Sequence, residues 1–204
     1  MLLAVDTSTQ TMGIALYSES IVVGEMLWQT STHHTVELAP AVRQLLTRCT
    51  VKPTDLQALA VAIGPGSFTS LRIGLALVKG MALALHIPVI GIPTFDFLVQ
   101  AQPPSDHPLL AVIPAGRTRS AVQWYEYDEQ RWVSTTEPRV MTAEEISESI
   151  DGPTHILGDR CGGYAWFRNI QDGTSSQPSA SRCQREATAW MDRTGYFWIT
   201  LAPD

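Results

Sequence analysis

Two α/β units on either side of a proline-rich linker are what this 204-residue sequence predicts. Three observations carry the expectation. Short apolar runs of strand length alternate with helical stripes. Gln102–Pro108 places three prolines in seven residues. Beyond it the same order, a strand feeding a hairpin, begins again, which is a faint internal repeat of order and not of residues. Residues 1–101 form the first unit, 102–108 the linker, 109–166 a second, reduced unit, and 167–204 an atypical, partly flexible tail.

In the first unit, Leu2–Val5 is a short apolar run that reads as a buried strand. Met12–Tyr17 and Ile21–Trp28 flank the polar turn Ser18-Glu19-Ser20 and read as a hairpin beside it. From Leu38 apolar side chains recur with helical period. Pro40 fits the first turn of that helix, and a start near Thr35 would force a kink. Leu56–Ile63 is a buried strand. Gly64–Thr69 leads into a helix, Ser70 to Leu85, that is apolar nearly all round and rich in Gly and Ala, so burial on more than one side is expected. Pro88–Ile92 is a buried strand and Phe95–Ala101 a short helix. In the second unit Leu109–Ile113 is a strand, Ser120–Tyr127 and Arg131–Thr135 a hairpin, and Thr142-Ala143-Glu144-Glu145 a capping box opening a helix to Ile150. His155–Leu157 is a strand leading to Gly158-Asp159 and Gly162-Gly163. Beyond Phe167 the periodicity fades, and Tyr196–Ile199 stands as an isolated apolar run.

Composition limits the functions available. Fourteen basic against twenty acidic residues give a net charge of −6, so a broad phosphate-neutralising surface is excluded, and direct nucleic-acid binding by this chain alone is not expected. Mean hydropathy is +0.02, in the range of ordinary folded domains. Cys49, Cys161 and Cys183 are widely spaced and form no C-x-x-C, consistent with free thiols in a reducing compartment. The N-terminus lacks a basic segment before its apolar run. The longest apolar stretch, Ile73–Leu85, is 13 residues and contains Lys79, short of a membrane span. A cytoplasmic protein without a membrane role is the expectation.

Asp6-Thr7-Ser8-Thr9 ends the first strand. Its amides and hydroxyls suit a phosphate, with the Asp6 carboxylate holding Mg²⁺ through water, or they form a capped turn. Gly64-Pro65-Gly66-Ser67-Phe68-Thr69 joins a strand to a helix, where free N–H groups meet the positive end of the helix dipole. It is neither a Walker A loop nor a nucleophile elbow, and the alternative is a loop that packs the helix on the sheet. His33-His34 with Glu37 lacks the spacing of a metal site and reads as a solvated helix entrance. His86, His107 and His155 are isolated in the sequence. Gly116-Arg117-Thr118-Arg119 is a basic turn, and Glu144, Glu145 and Glu148 form a solvated helix face.

Taken together, Leu3–Thr9, Asp55–Gly74 with its Gly64-Pro65-Gly66-Ser67-Phe68-Thr69-Ser70-Leu71-Arg72 core, and Lys79-Gly80…Pro88-Val89-Ile90-Gly91 resemble the TsaB (YeaZ) family. The resemblance covers about residues 1 to 165. It implies the duplicated actin-like, sugar-kinase and heat-shock-ATPase (ribonuclease H-like) fold, here with an incomplete second unit. It further implies a non-catalytic subunit that pairs with TsaD, and works with the ATPase TsaE, in making threonylcarbamoyladenosine beside the tRNA anticodon. TsaD carries an H-x-x-x-H metal motif where this chain has Thr94 and Leu98, neither able to replace an imidazole ligand. No metal and no catalytic residue are therefore expected. Ser70 stands where the family usually has Gly. Ile113-Pro114-Ala115-Gly116-Arg117 keeps an arginine of the second phosphate loop and lacks its acid. Cofactors are not required, and ATP or ADP with Mg²⁺ would bind weakly at Asp6, Thr7, Ser8, Gly64, Gly66 and Ser67. The expected partner surface is a helical bundle seam: Leu38, Val42, Leu45 and Leu46 on the first helix, and Leu71, Leu75, Val78 and Ala82 on the second. The same seam could support a homodimer. The alternative function is a small ATP-dependent kinase or transferase of the same fold.

Overall fold

A computed structural model describes residues 1–30, 34–116, 118–158, 187–191 and 197–201, the last two segments as backbone. His33, Arg117, Asp159, Cys161, Gly162, Gly163 and Cys183, and most of the tail, lie outside the described residues. The chain divides into two compact units between Asp96 and Phe97.

The first unit runs β1 (Leu2–Asp6), β2 (Thr11–Ser18), β3 (Ile21–Gln29), α1 (His34–Arg48), a 3₁₀ turn (Pro53–Asp55), β4 (Ala58–Ala62), α2 (Phe68–Leu85), β5 (Val89–Ile92) and the start of α3 (Thr94–Gln100). Strand order is β3-β2-β1-β4-β5. β1, β2 and β3 pair antiparallel, and β4 and β5 add in parallel, as expected where a helical crossover returns the chain to the same end of the sheet. Alternation along β1 and β2 sends Leu3, Val5, Met12, Ile14 and Leu16 to one face. There they meet Leu38, Val42, Leu45 and Leu46 of α1 and Val78 of α2 in a single core. At Gly24 an added Cβ would fall against Cys49 Sγ and Leu45, so β3 accepts the end of α1 only because it lacks a side chain there.

Three expectations need correction here. α1 starts at His34 and runs through Pro40. Its first turn is held to β3 by Trp28, whose indole Nε1–H donates to Glu37 Oε2 at 3.1 Å. The missing Pro40 amide costs the carbonyl of Val36 its helical partner, on a turn that faces solvent. β5 is not a buried strand but an exposed sheet edge, with Val89, Ile90 and Gly91 all open to solvent. α2 is 18 residues long. By length and composition it is apolar enough to cross a membrane, longer than the stretch counted from Ile73, yet only 17% of it is buried. It is thus not buried on several sides.

The second unit contains β6 (Leu109–Pro114), β7 (Arg119–Asp128), β8 (Arg131–Ser134), β9 (Arg139–Thr142), α4 (Ala143–Glu148), β10 (His155–Gly158), β11 (Ala187–Met191) and β12 (Phe197–Leu201). Its sheet runs β11-β12-β10-β6-β7-β8, with β9 also on β7. β6 pairs antiparallel with β7 and β7 with β8, while β10 is parallel to β6. Thus β8-β7-β6-β10 repeats β3-β2-β1-β4 in order and direction, which is the duplication of the actin-like fold. The fifth place differs: β12 lies antiparallel to β10, where β5 is parallel to β4. The run Phe197–Ile199, isolated in the sequence reading, is therefore a paired strand. The first residue of the expected linker is packed into this unit: Gln102 is buried, its amide donates to the Leu98 carbonyl, and its own carbonyl accepts from Trp132 Nε1–H. α4 opens with the expected capping box, Thr142 Oγ1 accepting from the Glu145 amide and Glu145 Oε2 from the Thr142 amide. It ends at Glu148, two residues early, and buries Ile146 among Leu110, Val112, Val122 and Ile156.

Candidate functional site

The turn after β1 and the loop before α2, read from sequence as phosphate loops, are brought together. Thr7, Ser8 and Thr9 are all buried. Ser8 N–H donates to Asp6 Oδ1 at 2.8 Å, closing an Asx turn. Ser67 N–H donates to the Ser8 carbonyl at 2.7 Å, and Thr7 Oγ1–H to the Ser70 carbonyl at 2.8 Å. Ser70 Oγ, the departure from the family pattern, donates to Ser67 Oγ at 2.9 Å. Gly64 takes φ +105°, a conformation glycine tolerates, and its carbonyl accepts from Thr94 N–H. A Cβ on Gly66 would run into the Ser8 backbone, and one on Gly74 into Thr7 Oγ1.

Tested against a nucleotide phosphate, this arrangement does not fit. The two loops lie in direct backbone contact, a Cβ on Gly66 falling against the Ser8 carbonyl oxygen. The amides of Ser8 and Ser67 are bonded within the protein, and the Asp6 carboxylate is spent on one of them. What the geometry does is lock the first turn of α2 onto the end of β1. The Ser8 and Thr94 hydroxyl oxygens are both buried without a hydrogen-bond partner. Thr94 begins α3 fully buried, and Leu98, at the second position of the metal motif, is buried on the same helix. Among the described residues no group of three or more His, Cys, Asp or Glu side chains is placed to hold a metal ion.

The eight expected interface residues divide sharply. Leu38, Val42, Leu45, Leu46, Val78 and Ala82 are buried in the first unit's own core, and only Leu71 and Leu75 keep partial exposure. The physical reason lies in which side of α2 meets the sheet. Its buried stripe is Ser70, Gly74, Val78 and Ala82, the small side chains, which let the helix lie close. Opposite them Phe68, Arg72, Ala76, Lys79 and Leu83, spaced 4, 4, 3 and 4 residues apart, form one exposed stripe. Phe68 is 66% and Leu83 78% exposed. Sequence reasoning missed these residues; their signal was the absence of any acid on α2 beside two cations. Arg72 lies over the Phe68 ring, Cζ 3.6 Å from its centroid. Between α1 and α2 a shallow groove of about 210 Å³ is lined by Val42, Leu46, Leu77 and Met81 among others.

The isolated histidines are partly gathered. His155 Nε2 lies 2.7 Å from Ser105 Oγ, and the His107 ring centroid 5.8 Å from that of His155. Burial, then the charge of His107, holds the His155 pKa below its ordinary value. His86 caps α2 in the left-handed region at φ +57°. Glu144, Glu145 and Glu148 are exposed.

Comparison with known proteins agrees with the motifs. The family model described as TsaD, tRNA N6-adenosine threonylcarbamoyltransferase, matches residues 28–164. The tRNA threonylcarbamoyladenosine biosynthesis protein TsaB of Bacillus subtilis is 34% identical over 160 residues, 77% of this chain and 70% of that protein. TsaB of Escherichia coli is 29% identical over 150 residues, 72% of this chain and 64% of that protein. The structure of YeaZ from Pseudomonas aeruginosa superposes with a TM-score of 0.62 at 29% identity, covering 70% of this chain and 67% of the other. With the Gly64–Gly74 motif, the duplicated sheet order and these relatives in agreement, the chain belongs to the TsaB (YeaZ) family of tRNA threonylcarbamoyladenosine biosynthesis proteins.

Proposed function

We propose that this chain is a non-catalytic subunit that pairs with TsaD in forming threonylcarbamoyladenosine on tRNA, in the cytoplasm and alongside TsaE. The observation that carries the reading is the exposed stripe of α2. A long apolar helix with one whole side in water needs a covering surface, and the loop network at Ser8 and Ser67 ties its first turn to the end of β1. The partner surface is accordingly the exposed side, Phe68 to Leu83, with the adjoining groove at Leu77 and Met81. Thr94 and Leu98 supply no metal ligand, so transfer chemistry belongs to the partner.

Nucleotide binding at Asp6–Ser8 and Gly64–Ser67 is at most weak, because a phosphate would have to displace three hydrogen bonds and separate two packed loops. The kinase alternative loses support for the same reason. Co-expression with TsaD of the same organism, followed by native mass measurement, should yield a stable complex. An Ala76→Trp variant that folds should be lost from it. Failure of the wild-type chain to capture TsaD would overturn the reading. So would a submicromolar ATP constant by calorimetry that Asp6→Ala abolishes, since it would restore a catalytic role.

A further inference from the structure

The second unit holds a serine and a histidine that pairing with TsaD does not use. Ser105 and His107 lie on the segment before β6, and His155 opens β10. β10 runs parallel to β6 with His155 opposite Leu109, and the His155 amide donates to the Pro108 carbonyl at 2.9 Å. This ladder sets the imidazole beside the Ser105–His107 turn, where its Nε2 comes to 2.7 Å from Ser105 Oγ. N–H···O bonds centre at about 2.9–3.0 Å and bonds from a hydroxyl are shorter, so the distance suits Ser105 Oγ–H donating to Nε2. The His107 amide donates to the same Oγ at 3.0 Å. One lone pair of Oγ thus accepts an amide that would stabilise an alkoxide, the proton faces a base, and the second lone pair is left to attack. Burial, then the charge of His107, hold the His155 pKa below its ordinary value, which keeps the ring neutral at about pH 7. Ser105 is half-buried, and Asp106 and His107 are exposed, so the serine lies within reach of a small molecule.

From this geometry, which depends on no partner protein, we propose that Ser105 is a nucleophile with His155 as its general base, and that it takes the acyl group of small activated esters. Oγ forms a bond to the ester carbonyl carbon as its proton passes to His155 Nε2. The bond from that carbon to the leaving oxygen then breaks, and His155 returns the proton to the departing alcohol. The acyl group stays on Ser105 until water attacks the same carbon, with His155 again taking the proton. The exposed rim at Asp106 and His107 suits a short acyl group on a good leaving group.

The test is incubation of the full chain with p-nitrophenyl acetate, following nitrophenolate release in time and locating the acetyl group by peptide mass mapping. In the wild type Ser105 should become acetylated, at least about tenfold faster in the folded chain than in the chain unfolded by urea. His155→Gln keeps a polar group near Ser105 but no base, and should slow acetylation there about 10²–10⁴-fold. Ser105→Ala should abolish that acetyl site with circular dichroism unchanged. Acetyl groups on His155 or on lysines with Ser105 unmodified would overturn the proposal. So would a His155→Gln variant that folds and acetylates Ser105 at the wild-type rate. Should that variant lose its native circular dichroism, the folded and unfolded wild type still decide the matter. A folded-chain rate less than about tenfold above the unfolded one would make the Ser105–His155 contact a structural hydrogen bond only, and the proposal fails.

Discussion

An added methyl group has opposite consequences at two glycines of the α2 region. At Gly66 it meets the backbone of Ser8, which cannot move without separating the loops from the end of β1. Gly66→Ala should cost about 2 kcal/mol or more, in the range of overpacked sites. At Gly80 nothing opposes it, and alanine relieves the entropy cost of a mid-helix glycine. Gly80→Ala should therefore stabilise the isolated chain by about 0.5–1 kcal/mol. Urea midpoints of the two variants, moving in opposite directions from wild type, are the measurement; parallel shifts would refute the packing argument. His155 gives a residue-scale pH dependence. Its pKa in the folded chain lies below the unfolded value because burial and the charge of His107 oppose protonation. The unfolded chain thus takes up the proton first. The contribution is fully present above about pH 6.5 and is lost as pH falls from there through the folded pKa. His155→Gln should flatten the fall of the urea midpoint between pH 7 and pH 5, and His107→Asn should reduce it. An unchanged slope in both would show that other groups set it.

Elements were legible where apolar pattern and boundary chemistry agreed. β1, β2, β3 and the β7–β8 hairpin follow from apolar runs broken by polar turns. α4 follows from Thr142 and Glu145, and removing that cap tests it. Thr142→Ala leaves the Glu145 amide without its side-chain acceptor and should cost about 1 kcal/mol, read as a lower thermal midpoint, with Thr142→Ser restoring most of it. β9 was missed because Arg139-Val140-Met141-Thr142 is four residues long, without alternation. β5 was misjudged because an apolar run says nothing about whether a neighbour covers it. The rotation of α2 was illegible for a deeper reason. A helix apolar on nearly every side has no preferred face, and the buried side is chosen by size, Ser70, Gly74, Val78 and Ala82 fitting closely where larger side chains would hold the helix away. The eight-residue interface expectation followed the leucines and so ran mostly into the core. At the loops, the residue types were read correctly as turn formers. Whether their amides face a ligand or each other depends on the placement of Gly66 over Ser8, and no local pattern encodes that.

At the scale of the whole chain, the two units share four strands in one order and part at the fifth. In the first unit, the crossover through α2 returns the chain to the same end of the sheet, so β5 adds in parallel beside β4. In the second, β11 and β12 form an antiparallel pair, and β12 joins β10 with His155 opposite Thr200 and Gly158 opposite Phe197. The C-terminal segment thus covers what would otherwise be the free edge of β10. Ile156 and Leu157, on opposite faces of that strand, are both buried. A chain ended at Gly158 would leave the amides and carbonyls of His155–Gly158 unpaired on that side. An edge so apolar, carrying neither Lys nor Pro, invites pairing with another chain. The truncated chain should therefore appear in light scattering as oligomers growing with concentration, at a pH and salt where the full chain stays monodisperse. Placing a charge on the new edge by Ile156→Lys should not rescue it, since that side chain is needed in the core with Ile146 and Leu110. Placing it at His155, which is only partly buried, should reduce the growth. If the truncated chain instead remains monodisperse with an unchanged urea midpoint, β12 contributes nothing to the second unit, and the fifth strand of the repeat is dispensable in this protein.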